Sequence, residues 1–331
     1  MVKILTEGIT LFALLKSKKQ ANGLTAVSIT DVGVAISRIN RDDVRKPILD
    51  LCLFEPLSDP AEVRVMLDRV IQENALDGER CSIVIPNANH SLLLIEAPDV
   101  QATELKAAVR WRIKDLIDFH IDDAVIDVFE IPEQDVAPGR ARLMYAVAAR
   151  ASALNSQIEI LQDSAFDLEI VEIPELAIRN ITALLDEDVR GVATLYFNNE
   201  GGVITLTRQG SLYLSRNIDI GISQFSVPGS MEGELHPQVQ QSLDKVVLEV
   251  QRSLDYYESH FSQPPITQLL VAPLAEEVPG MLTYLSSNLG LATRMIDIND
   301  IVECAVPIDM ATQANSFTAI GAALRYQQKT L

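Results

Sequence analysis

Apolar and polar positions change rhythm several times along this chain. Between residues 192 and 221, three short runs rich in Val, Ile, Thr, Leu and Tyr are separated by Asn198-Asn199-Glu200-Gly201-Gly202 and by Gln209-Gly210-Ser211. Runs of this length that alternate in character and are broken by tight-turn residues predict a three-stranded antiparallel meander. Residues 24–39 repeat the pattern with two runs around Asp31-Val32-Gly33, and residues 47–54 supply a third. Each meander is followed by a helix-rich stretch. Strands and then helices, used twice, predict a duplicated α/β protein.

The pattern between and after the meanders fills in the rest. Asp59 and Pro60 have the make-up of a cap and first turn, and Val63, Met66, Leu67, Val70 and Ile71 follow helical spacing. Strands are expected at 81–86 and 90–97, a helix at 101–118, and two more strands at 124–131 and 142–149 around a turn at 136–139. The strand–helix–strand–strand order over 90–149 reads as a compact inserted unit. A helix at 151–163, a strand at 167–172 and a helix at 174–185 follow, with Asp186-Glu187-Asp188 expected as a boundary. Residues 228–237 are polar and rich in turn formers, so they read as a loop. The strongest helical pattern is next, with Val247, Val250, Leu254, Tyr257 and Phe261 on one face, and Pro264-Pro265 stops it. A strand at 266–271, a helix at 280–289, a strand at 292–296 and a terminal helix at 317–326 complete the expectation.

Composition narrows the function classes. The chain has 331 residues, 48% of them hydrophobic, which is enough for two or three domains, and a formal charge of −19. Nucleic acid is excluded as a partner, because phosphate binding needs a basic surface that releases counterions. The first twenty residues run the other way: Lys3, Lys16, Lys18 and Lys19 against Glu7 leave +3, so the remainder carries −22. Residues 1–20 therefore form a separate basic amphipathic leader. With Ile9, Phe12 and Leu15 ahead of Lys16, Lys18 and Lys19, it has the make-up either of a weak interfacial helix on anionic lipid or of a disordered leader. Its apolar run is far shorter than the roughly 20 residues a bilayer requires and lacks a small-residue cleavage site. Cys52, Cys81 and Cys304 share no metal or redox spacing, so reduced thiols and a cytoplasmic setting are expected.

Four segments carry a resemblance. ELKAAVRWRIKDLIDFHIDDAVIDVFEI at 104–131, Val147-Ala148-Ala149 with its following helix, EVQRSLDYYES at 249–259 and TAIGAALR at 318–325 look like PilM, the actin-like protein of type IV pilus assembly. Within that family, the basic leader and low aromatic content place the likeness nearest the MSHA-pilus branch. The resemblance covers the chain from about residue 24 onward. It implies a duplicated actin-like (ribonuclease H-like) two-lobed fold with an inserted small domain. The first lobe would be 21–89 and 150–190, closed by a C-terminal helix at 316–328, with the inserted domain at 90–149 and the second lobe at 191–315. It also implies a place at the cytoplasmic face of the inner membrane, peripheral to it, where the chain holds the cytoplasmic tail of a single-span PilN-like protein beside other assembly-platform components. The groove for that tail would lie at the inserted domain, near Arg110, Trp111 and Lys114.

The same resemblance implies an ATP and magnesium site, and here the residues depart from the pattern. Such sites use glycine so that backbone N–H groups reach phosphate unobstructed. The first hairpin keeps Asp31 and Gly33, but Val34 and Ala35 replace hydroxyl residues. The second hairpin keeps Gly201 and Gly202 but adds Glu200, and the run after the strand at 266–271 is Ala272-Pro273-Leu274-Ala275-Glu276 without glycine. Glu249 and Arg252 match the helix that flanks the nucleotide in the family. Read as residues alone, Asp31 is ordinary turn chemistry and Glu249–Arg252 a routine exposed helix pair. The expectation is a scaffold without cofactor, metal or catalysis, with an ATP-dependent PilM-type switch or the cytoplasmic domain of a type II secretion protein as the alternatives. Proteins of the latter kind continue into a transmembrane helix, and this sequence stops at Leu331.

No Walker A loop, dinucleotide fingerprint, nucleophile elbow or zinc signature is present. His90, His120, His236 and His260 make no ligand pair. Trp111, the single tryptophan, reads either as a core residue or as an interface anchor. Asp115, Asp118, Asp122 and Asp123 read as a solvated acidic face.

Overall fold

The computed structural model describes residues 23–41, 46–57, 59–132, 134, 141–199, 201–226 and 235–325. The basic leader with Phe12, Lys16, Lys18 and Lys19, Glu200 of the second hairpin, and the turn at 136–139 lie outside these residues. The chain divides into two compact units, 1–177 with 318–331, and 178–317.

In the first unit, β1 (Gly23–Ile29), β2 (Gly33–Asn40) and β3 (Ile48–Pro56) form the expected meander. Helix α1 (Val63–Glu73) then crosses to β4 (Arg80–Val84), which lies parallel to β1. All five apolar positions picked from spacing, Val63, Met66, Leu67, Val70 and Ile71, are buried on α1. The Asp59 carboxylate accepts from the Ala61 N–H at 2.9 Å, so it caps the short 3-10 turn Pro60–Glu62 that leads into the helix. After β4 the chain leaves the sheet for β5 (His90–Glu96), α2 (Ala102–Ile113), β6 (Ala124–Glu130) and β7 (Leu143–Arg150). These strands form a separate antiparallel sheet in the order β5-β7-β6. Helix α3 (Ala151–Gln162) returns the chain to β8 (Asp167–Glu172), parallel to β4, and α4 (Pro174–Thr182) follows. The main sheet runs β3-β2-β1-β4-β8.

The second unit repeats this order without the insertion. Strands β9 (Val192–Phe197), β10 (Gly202–Arg208) and β11 (Ser211–Ile218) form the meander. Helix α5 (Pro237–Phe261) crosses to β12 (Gln268–Val271), and α6 (Met281–Leu289) to β13 (Ala292–Met295). The sheet runs β11-β10-β9-β12-β13, with only the meander strands antiparallel. A one-turn helix α7 (Ile298–Ile301) precedes α8 (Met310–Ala323), which begins seven residues earlier than the spacing suggested. Two units with one shared strand order define a duplicated ribonuclease H-like, actin-like fold.

In the second meander β10 is buried at every residue but its last, and Thr194, Thr205 and Thr207 are buried hydroxyls. A sheet with parallel crossovers carries cover on both faces, so its polar positions are small residues that tolerate burial. On α5 the buried face is Val239, Leu243, Val246, Val250, Ser253, Tyr257 and Phe261, so Val247 and Leu254 sit beside it, only half-buried. Ser253 was invisible to a hydrophobic pattern, but its hydroxyl donates to the Glu249 carbonyl at 2.7 Å and so satisfies its polar atom inside the helix. Asp186-Glu187-Asp188, expected as a boundary, forms a 3-10 turn with Asp188 buried, and the division into compact units falls after Ala177 within α4.

Candidate partner-binding face on the inserted sheet

The inserted sheet has its own core. Val109 and Ile113 of α2 pack on Ile95, Met144, Ala146 and Ala148, with Leu93, Leu105, Ile126 and Val128 around them. Burying positions 105, 109 and 113, at helical i, i+4 steps, turns the rest of α2 outward. Trp111 is therefore not core: it is 73% exposed, and Leu116 just past the helix is 58% exposed. The Lys114 ammonium lies 5.5 Å from the centre of the Trp111 ring, one turn along, in cation–π range.

The other cations of α2 are tied to acids. Arg110 donates to Asp122 Oδ1 at 3.0 Å, Arg112 to the Glu96 carbonyl at 3.1 Å, and Lys106 sits 2.9 Å from the buried Asp127 carboxylate. Among the described residues, Glu104, Asp115, Asp118 and Asp123 make no ion pair. Arg110, Trp111 and Lys114 thus share one helix. Arg110 is half-buried in its pair with Asp122, while Trp111 and Lys114 stand in solvent.

A buried pair holds the root of the insertion, and no sequence pattern reveals it. His90 opens β5, and its Nε2 lies 3.0 and 3.2 Å from the two carboxylate oxygens of Glu175 in the first turn of α4. Its Nδ1 lies 3.2 Å from the Pro86 carbonyl. Burial alone would lower the imidazole pKa, but the Glu175 carboxylate, through charge and hydrogen bond, and the Pro86 carbonyl reverse this, and the net shift is upward. A second buried pair, Arg325 to Glu172 at 2.7 Å, fixes the end of α8 against β8. Eighty-five and 153 residues separate these partners, beyond any local signal.

The positions matched to a nucleotide site have structural occupations of their own. Asp31 is exposed in the β1–β2 turn, where the Thr30 N–H and hydroxyl both meet the Gly33 carbonyl, at 2.9 and 3.0 Å. A Cβ at Gly33 would stand 2.4 Å from the Glu55 carbonyl oxygen and 2.6 Å from the Phe54 ring. In the second unit, the Gly201 N–H donates to Asn198 Oδ1 at 2.8 Å, and a Cβ at Gly202 would lie 2.9 Å from the Tyr196 carbonyl oxygen. Glu249 joins Arg252 at 2.6 Å and Arg216 of β11 at 3.1 Å. Past β12, Ala272 donates its N–H to Leu195 at 2.7 Å, and Ala272, Pro273 and Leu274 are buried. The structure thus brings Glu249 and Arg252 together, and it accounts for Gly33 and Gly202 by close packing. Among the described residues no group of three His, Cys, Asp or Glu is placed to hold a metal, and no helix is long and apolar enough to cross a membrane.

Fold and insertion together define the class: a duplicated actin-like α/β protein whose first unit carries an antiparallel sheet between β4 and β8. No family model matches the sequence, and no curated protein matches it. Among solved structures, it is similar to a chain of the PilM–PilN type IV pilus biogenesis complex, with a TM-score of 0.72 at 17% identity over 91% of this chain and 97% of that one. The cytoplasmic domain of EpsL, an inner membrane component of the type II secretion system of Vibrio cholerae, aligns with a TM-score of 0.49 at 11% identity over 90% and 94% of the two chains. A Bacteroides thetaiotaomicron protein with an actin-like ATPase fold gives 0.46 at 9% identity over 85% and 93%. The chain shares the fold of the PilM–PilN structure over nearly the whole of both lengths.

Proposed function

We propose that this chain is a non-catalytic scaffold of a type IV pilus assembly platform, of the MshI kind that serves the MSHA pilus. It sits peripherally at the cytoplasmic face of the inner membrane. There it holds the tail of a single-span PilN-like protein, the counterpart of MshJ, beside other platform components. The observation that carries this reading is the fold match to the PilM–PilN complex over 97% of that chain. The insertion supports it by presenting an exposed Trp111, since large aromatic side chains in solvent are the usual anchors of protein interfaces.

The non-catalytic part is supported by the turns. A phosphate cradle needs several free backbone N–H groups converging without side chains. Here the Gly201 amide is bonded to Asn198, the Ala272 amide to β9, and Pro273 has no N–H to give. The basic leader adds a second, electrostatic hold on anionic lipid.

The test is a tagged pull-down of the full chain from detergent-solubilised native membranes. A small single-span inner-membrane protein with a cytoplasmic tail is the expected catch; its absence from repeated pull-downs sinks the scaffold reading. Calorimetry with Mg-ATP is expected to show no saturable heat, and saturable binding would turn the reading toward a nucleotide-dependent switch.

A further inference from the structure

We propose that the solvent face of α2 around Trp111 docks a basic amphipathic segment of the partner: a peptide carrying Lys or Arg beside at least one bulky apolar side chain. This rests on the scaffold reading and names the chemistry of its contact.

Three observations carry it. The first is exposure: Trp111 and Leu116 stand in solvent at 73% and 58% in a chain whose aromatics are only 5% of residues. The second is charge. Arg110, Arg112 and Lys106 are spent on Asp122, Glu96 and Asp127, while the exposed Glu104, Asp115, Asp118 and Asp123 are left without an ion pair among the described residues. Over residues 104–123 the side chains left without an ion pair are therefore mainly acidic, four carboxylates beside Lys114, although the helix reads as basic. The third is the ring itself, which already holds the Lys114 ammonium at 5.5 Å and so shows itself an acceptor for cations.

The partner that complements an exposed ring on a stretch with unpaired carboxylates is cationic and amphipathic. Cytoplasmic segments beside a membrane span carry just such an excess of Lys and Arg. An anionic lipid surface fits badly, because it would meet these four carboxylates and a body at −22 outside the leader.

Trp111 is the only tryptophan, so its emission reports the contact directly. The full chain would be titrated with a synthetic helical peptide of Leu and Lys at i, i+3, i+4 spacing, and with the same peptide bearing Glu for every Lys. The Lys peptide is expected to shift the emission to the blue and saturate; the Glu peptide is expected to do neither. By anisotropy of a labelled Lys peptide, Trp111→Ala should bind about 30-fold more weakly, the loss expected of an aromatic anchor worth about 2 kcal/mol. An Asp115→Asn, Asp118→Asn, Asp123→Asn triple variant should bind more weakly and with a flatter salt dependence. Equal binding by Trp111→Ala overturns the assignment, since it would mean that any acidic surface suffices. A red shift of the free chain on deleting residues 1–20 would show the chain's own leader on this face, and a larger blue shift with anionic vesicles than with the peptide would show lipid; either overturns the choice of partner. In the membrane pull-down, loss of the single-span protein by Trp111→Ala supports the site. Its retention by that variant discards the site and leaves the scaffold reading standing.

Discussion

Removing His90 should destabilise the first unit more than any surface change and should alter how its stability responds to pH. The ring has an acceptor at each nitrogen, the Pro86 carbonyl at 3.2 Å and the Glu175 carboxylate at 3.0 Å, so only the doubly protonated imidazolium satisfies both. Both side chains are 2% exposed, so solvent screens neither. His90→Leu strands a carboxylate in the interior, which costs about 3–5 kcal/mol, whereas His90→Leu with Glu175→Leu removes both charges and should recover most of that loss. At about 2–4 °C per kcal/mol for a unit of this size, the single variant should melt roughly 6–20 °C lower. The pH dependence follows from the upward shift of His90 from its ordinary 6.5. The folded state holds this proton more tightly, so the contribution is complete below about pH 6.5 and is lost as pH rises through the folded value. Thermal melts followed by circular dichroism across that range, with hydrogen exchange of the β5 amides to assign the change to the insertion, test it. A loss under about 1 kcal/mol in His90→Leu, or an unchanged alkaline slope, would refute the reasoning.

Three further outcomes follow from local geometry. Gly321→Ala should cost about 1–3 kcal/mol, read as a lower urea midpoint, because its Cβ would lie 2.2 Å from the Ala177 carbonyl oxygen, so α8 and α4 must part. Asp188 accepts from the Thr207 hydroxyl at 2.8 Å and the Gly210 N–H at 2.5 Å, and burial pushes its carboxyl up. Asp188→Ala should lose about 1–3 kcal/mol by orphaning the Gly210 N–H, whereas Asp188→Asn should keep most of the stability and remove the fall expected as pH rises above the ordinary carboxylate range, both read from melts of the second unit across pH. Trp111→Ala should leave the melting temperature within about 2 °C, because its ring is largely in solvent; a larger drop would return Trp111 to the core.

Periodicity located nearly every strand and helix here because central strands and amphipathic helices write their burial into local sequence. Helix α1 is the clearest case, since one face is core and the other water. The pattern failed where burial involved polar atoms. Ser253 and the meander threonines satisfy or tolerate burial through their own backbone or small size. The burial of Asp188 left no local trace, because its hydrogen-bond donors, Thr207 and Gly210, come from the hairpin 19 and 22 residues away. Of the candidate face, the sequence supplied the helix, the lone Trp and the cations. It could not supply the sign of the surface, because the pairings of Arg110 with Asp122 and Arg112 with Glu96 depend on how the insertion folds.

The glycines at the two hairpins bear on how a nucleotide-site remnant is to be read. Gly33 and Gly202 face backbone carbonyl oxygens at 2.4 and 2.9 Å from a would-be Cβ, so the sheet demands them whether or not a ligand is bound. Hydroxyls beside Gly33, and a glycine run after β12, are not demanded by packing: Val34 and Ala35 fit inside β2, and Pro273 and Leu274 fill the interior past β12. The elements that the fold itself requires are thus the ones present, and those that only a phosphate would require are the ones replaced. Two surviving glycines therefore carry no weight for nucleotide binding. The buried Pro273 carries weight against it, since it takes an N–H and an open approach away from the same turn.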